Sequence, residues 1–186
     1  MNVSKLDREV WDEFHADWEG LLVECGLLLE RWKGAKNSKP ETLAADVADQ
    51  FNGETRSVLT KQRIGQQFFR NSVLAGYKNR CCVSGLDVTS LLIASHIVPW
   101  SEDKSNRLNS SNGLCLSALY DRAFDQGLIT LDKSWRVLVS GGLKSRAGAA
   151  IQANFFAIDG QKIELPERFM PNSIFMEWHR DTVYLG

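Results

Sequence analysis

The chain has 186 residues, 44% of them hydrophobic, with a formal net charge of −1. That length buries a core without disulfide staples, and near-neutrality excludes a protein that finds a polyanion through its total charge alone. Four cysteines, two of them adjacent (Cys81 and Cys82), do not form a secreted disulfide framework. No basic leader precedes an apolar run and no stretch reaches membrane-spanning length, so the expectation is a cytoplasmic protein with no membrane partner.

From Leu6 to Trp32 apolar residues recur at spacings of three and four, which predicts an amphipathic helix that packs on the rest of the chain, dimerises or binds a partner. GAKNSKPET, residues 34–42, is rich in breakers and reads as a linker, and LAADVADQF reads as a short helix. The expected organisation is a helical extension over 1–55, a core over 56–140 and a C-terminal extension over 141–186 packed on that core.

No acidic residue lies between Thr55 and Leu86, whereas Arg56, Lys61, Arg63, Arg70, Lys78 and Arg80 are basic. RIGQQFFRNSVLAGY reads as a helix with Ile64, Phe68 and Val73 or Leu74 inward and Arg63, Gln67 and Arg70 on another side. Such a face is either simply solvated or a phosphate contact.

VSGLDVTS reads as a turn and LLIASHIV as a strand that Pro99 ends, because proline donates no ladder hydrogen bond. SEDKSNRLNSS is an exposed loop and GLCLS a return strand. ALYDRAFDQG has helical spacing, with Leu119 and Ala123 or Phe124 inward and Gly127 as the stop. LITLD and WRVLVS form a hairpin, and a helix is expected near 172–180. His15 and His179 are read as packing or surface residues, Trp100 as packing.

His96 in ASHIVPW alone suits a hydrogen-bonded structural histidine, Asn112-Gly113 alone a turn, and Asp121 and Asp125 alone solvated helix charges. Together they carry more. Four apart on a helix, the two carboxylates share one side with roots about 6 Å apart, and their repulsion calls for Arg122, water or a divalent cation. Hard oxygen ligands select magnesium or manganese.

From Arg63 to Ser140, and above all in SHIVPW, the Asn-Gly that ends the loop, and DRAFDQGLITLD, the chain resembles the HNH nucleases with their ββα-metal core, in particular a restriction-like branch. The resemblance implies an α+β fold. It places His96 as the general base that activates water, a task suited to an imidazole that titrates near neutrality. Asn112 would tie the loop to the hairpin and hold that histidine, and Asp121 and Asp125 would take metal-ligand positions. Ser95 stands where many members carry a further aspartate or histidine ligand. Where relatives carry two Cys-x-x-Cys pairs, this chain has Cys81 with Ser84 and Ser117 with Tyr120, so no structural zinc is expected. Packing by Leu92, Leu116, Leu119, Phe124 and Leu128 would support the site instead.

The implied activity is metal-dependent hydrolysis of DNA phosphodiesters, in restriction or phage defence, with RNA left open as a substrate and a homodimer suited to double-strand cutting. Arg63, Arg70, Arg80, Arg107 and Arg122 are the candidate nucleic-acid contacts. The alternatives are a catalytically inactive nucleic-acid-binding module and an interaction protein recruited through its first helix.

Overall fold

The computed structural model describes residues 53–186, with side chains from Gln62 onward, together with positions 8, 12, 20, 21, 24–26, 28, 29 and 32, which are helical. The remainder of the helix expected over 6–32, the linker at 34–42, the LAADVADQF helix and His15 lie outside the described residues. The chain divides into two compact units, 1–68 and 69–186. In the first, Leu28, Leu29 and Trp32 are exposed.

Helix α1 (Gly53–Gly76) spans the division. Its last turns bury Phe69, Val73, Leu74 and Tyr77, the three-and-four spacing of a core-facing helix. It stops where Lys78 and Asn79 take left-handed dihedrals, and the Asn79 N–H donates back to the Leu74 carbonyl at 2.7 Å.

Strand β1 (Leu92–His96) then pairs antiparallel with β2 (Gly113–Ser117), Leu92 opposite Ser117 and His96 opposite Gly113. Gly113 is extended, with φ −130°, so the Asn-Gly pair is not a turn requiring positive φ. Its glycine is needed for close approach instead: a Cβ there would lie 2.5 Å from Val73 Cγ2 and 2.9 Å from Phe69 Cζ.

Helix α2 (Ala118–Asp125) starts directly after β2. It turns Tyr120, Ala123 and Phe124 into the core and leaves Leu119 47% exposed, which corrects the expectation that Leu119 faces inward. Starting at Ala118 sets the phase: positions 120, 123 and 124 share one face, and 119 lies about 100° away from 120. Leu92, Leu116 and Phe124 are buried as expected. Gly127, at φ +66°, ends the helix.

Strands β3 (Ile129–Leu131) and β4 (Val137–Val139) form a second antiparallel pair. Between them Asp132 Oδ1 accepts from the Ser134 and Arg136 N–H groups at 2.7 and 2.8 Å, and Trp135 is left-handed, so β4 begins later than WRVLVS suggests. Short helices α3 (Gly141–Lys144) and α4 (Ala149–Asn154) lead to α5 (Ser173–Thr182). The fold is α+β.

His179, on α5, is buried. Its ring stacks on Phe124 at 3.7 Å between centroids. Its Nε2 lies 3.1 Å from the Phe124 carbonyl, and its Nδ1 lies 2.9 Å from Thr130 Oγ1. A carbonyl only accepts, so Nε2 carries the proton and Nδ1 accepts from the hydroxyl. Burial drives its pKa down to about 4, against the Phe124 carbonyl, which raises it; Arg180 lowers it further.

Two outcomes are expected. Gly113→Ala should lower the unfolding free energy by about 1–3 kcal/mol, since backbone or packed side chains must move; an unchanged urea midpoint would contradict the close approach. Because the folded pKa of His179 lies below its unfolded value, its contribution to stability is complete above about 6.5 and is lost as pH falls towards about 4. That loss is on the order of 3 kcal/mol, and urea titrations at pH 7 and pH 4.5 should show a smaller acid loss in His179→Gln than in the wild type.

Candidate active site

Ser95 and His96 end β1, and successive strand residues leave it on opposite sides. The Ser95 hydroxyl is buried and stands beside the Asp121 carboxylate. On the other side the His96 imidazole lies flat against Phe69, 3.8 Å between centroids and 11° between planes, with Trp100 tilted at 5.7 Å.

The His96 Nε2 lies 2.9 Å from the Arg107 carbonyl oxygen. That oxygen has no proton to give, so Nε2 is the protonated nitrogen and the lone pair of the neutral ring sits on Nδ1. Burial lowers the His96 pKa from its usual 6.5, opposed by the Arg107 carbonyl. The ring is therefore neutral at pH 7, with one basic nitrogen.

Arg107 belongs to the loop that Pro99 opens, and Asn112 closes that loop. The Asn112 side chain is buried; its Oδ1 accepts from the Val98 N–H at 2.9 Å, and its Nδ2 donates to the Val98 and Asn106 carbonyls at 3.1 and 3.3 Å. The Ile97 N–H donates to the Asn112 carbonyl at 2.9 Å. An amide side chain is suited to this because it offers a donor and an acceptor to the two backbone groups of the same residue. Removing it would leave buried backbone groups unsatisfied, at about 1–3 kcal/mol each.

On α2, Asp121 is half-buried and Asp125 more exposed. Burial raises both pKa values. For Asp121 the Ser95 hydroxyl and Arg122 oppose the rise; for Asp125 the Asp121 charge adds to it and Arg122 opposes it. Two coupled carboxylates, partly desolvated, beside a buried hydroxyl make a hard oxygen set of the kind magnesium or manganese takes. Among the described residues no group of three His, Cys, Asp or Glu side chains is arranged around one point.

The arginines divide. The Arg107 guanidinium lies 5.3 Å from the Trp100 ring centre, and its Nε donates to the Trp100 carbonyl at 3.1 Å, which ties it to the His96 loop. Arg122 is exposed beside the two carboxylates. Arg70 is committed elsewhere: its Nη1 and Nη2 donate to the Leu92 and Thr89 carbonyls at 2.8 and 3.2 Å, at the far end of β1 from His96. Arg80 pairs with Asp87 at 3.6 Å and Lys78 with Glu167 at 2.7 Å, all at exposed positions. Arg63 is exposed on α1, in the first unit. Phe69, which carries the closest ring contact to His96, is absent from the residues singled out in the sequence, where Phe68 is expected to face inward; Phe69 is the buried one and Phe68 only partly so.

Residues 81–132 match the model of a family described as HNH endonuclease. No curated protein matches the chain significantly. A solved structure of a modification-dependent TagI restriction endonuclease is similar at 18% identity with a TM-score of 0.45, over 62% of this chain and 37% of that one. The chain thus spans well under half the length of that structure.

Removing one of two repelling carboxylates should stabilise the metal-free protein. For Asp125→Asn we expect a gain of up to about 0.5 kcal/mol, small because solvent screens the pair, together with the loss of any rise in melting temperature on adding manganese. A variant less stable than wild type without metal would contradict the electrostatic reading.

Proposed function

We propose that this chain, whose residues 81–132 match the HNH endonuclease family model, hydrolyses phosphodiester bonds in DNA with the aid of a divalent cation. The observation that carries the reading is the His96 hydrogen bond to the Arg107 carbonyl, because it leaves a neutral imidazole with its lone pair on Nδ1. In this reading Nδ1 takes a proton from the attacking water. The imidazolium so formed keeps its Nε2–H on the Arg107 carbonyl, whose dipole stabilises the new charge.

Asp121 and Asp125 would hold magnesium or manganese, with the Ser95 hydroxyl beside Asp121. When bound, the cation supplies neutralisation of charge at the phosphate and at the departing 3′ oxygen. Placement of Ser95 and His96 on opposite sides of β1 suits a phosphodiester that runs past the strand end, with the base on one flank and the carboxylates on the other. Arg107, braced on Trp100, and Arg122 would contact phosphates. Arg63 remains a candidate contact, whereas the bonds made by Arg70 and Arg80 favour structural roles for them. A restriction or phage-defence setting and a homodimer that brings two such sites to one duplex belong to the same proposal.

A second reading, a catalytically silent nucleic-acid-binding module, is favoured by one observation: among the described residues no third His, Cys, Asp or Glu side chain accompanies the two carboxylates. Metal-dependent cutting separates the two readings; salt-sensitive binding would accompany both.

Purified protein should nick or linearise plasmid DNA with magnesium or manganese, and His96→Ala should slow this by about 10²–10⁴-fold. Asp121→Ala and Asp125→Ala should abolish the metal response, and Ser95→Asp should tighten manganese binding measured by calorimetry. Since protonation disables the base and its pKa is lowered, activity should persist to below pH 6.5 before it falls. Undiminished cleavage by His96→Ala would remove the base from this role.

A further inference from the structure

We infer that Phe69 is the positioning residue of the His96 imidazole. This inference rests on reading His96 as the base. Phe69 lies outside the segment that matches the HNH family, residues 81–132, so the base would depend on a helix that the family segment does not contain.

A histidine side chain has two orientational freedoms that matter to a base: the plane of its ring, and the half-turn about χ2 that exchanges its nitrogen and carbon positions. The Arg107 carbonyl fixes the second, since only a donating Nε2 satisfies it at 2.9 Å. One hydrogen bond in the ring plane leaves the plane itself free to tilt. Phe69 removes that freedom, lying nearly parallel to the imidazole at 3.8 Å while itself only 2% exposed and anchored in the core. Trp100 limits movement from another direction at 5.7 Å.

The register of the hairpin explains how the phenyl ring reaches this place. His96 pairs with Gly113, and a Cβ at that position would crowd both Val73 Cγ2 and Phe69 Cζ. Opposite the base the sheet thus presents bare backbone, and two α1 side chains one turn apart occupy the space. Val73 fills the same gap, and its recorded approach there is to Gly113, whereas Phe69 also stacks on His96. That difference separates positioning from packing.

The test compares Phe69→Leu with Val73→Ala, both made in the full chain and brought to equal fractions folded. For Phe69→Leu, kcat on plasmid DNA should fall about 10- to 100-fold, as misplacement of a reacting group predicts, with KM for DNA and the manganese requirement unchanged. Val73→Ala should keep kcat within about twofold of wild type. Independently of activity, ¹⁵N- and ¹H-detected spectra of the histidine rings, of which the chain has three, should give His96 as a single Nε2–H form with ring protons shifted upfield by the phenyl face. In Phe69→Leu that upfield shift should vanish and the ring signals broaden. Should Phe69→Leu fail to fold, Phe69→Met supplies the same comparison with closer volume. Equal losses of kcat in the two variants, or unchanged His96 ring signals without the phenyl ring, would overturn the inference. A wild-type protein with the stacked, Nε2-protonated His96 that cuts no better than His96→Ala would instead overturn the reading of His96 as base.

Discussion

The hydrogen bond from His96 Nε2 to the Arg107 carbonyl is short in space but joins residues eleven apart, and much of the second unit serves to keep it. The segment between them is anchored by the buried Ile97 and Val98, and the polar remainder of the loop has backbone groups satisfied by side chains. Asn112 adds to this by pairing its amide with both backbone groups of Val98. The antiparallel register places His96 against Gly113, and the missing side chain admits α1. Each of these devices is itself a buried interaction, so geometry of the imidazole and stability of the hairpin are coupled.

Across β1 the electrostatics have the opposite character. Asp121 and Asp125 are held close on one helical face although desolvation raises both pKa values and the Asp121 charge raises that of Asp125 further. The Ser95 hydroxyl is buried beside the Asp121 carboxylate, which it stabilises against that rise. Carboxylates whose pKa values are raised by burial and by a neighbouring charge are a common mark of functional sites. Behind the two carboxylates, α5 steadies α2: the His179 ring lies against Phe124 and its Nε2 meets the Phe124 carbonyl. A histidine thus serves each side of the hairpin, one stacked on Phe69 and one on Phe124.

Support for α2 from the rest of the chain is also organic. Tyr120 donates to the Asn154 carbonyl at 2.8 Å and meets the Phe155 ring edge-on. The Glu164 N–H reaches the Cys82 carbonyl at 2.9 Å. The Cys81 sulfur accepts from the Ser84 N–H at 3.4 Å. Burial holds the Cys82 thiol well above its usual range and pushes Cys115 up to about 12, as expected of small thiols packed in a core. Residues 141–186, which no motif explains, pack where these side chains lie.

By itself the sequence determined the order of elements around the site, since hydrophobic period, proline and glycine act locally: helix, strand to His96, loop, strand from Gly113, helix with two aspartates, hairpin, final helix. It also marked Asn112 and the Asp121–Asp125 pair as candidates, because residue type and helical spacing constrain what those side chains can do. Only tertiary structure decided which partner each side chain met. Leu119 turned outward because the helix phase depends on where β2 ends, and Arg70 was spent on the Leu92 and Thr89 carbonyls rather than left facing solvent. Phe69 became the neighbour of His96, and Gly113 proved to be a passage for it rather than a turn. The reason is physical: periodicity records which face of an element is buried, whereas the contact made on that face depends on chain segments that no local pattern encodes.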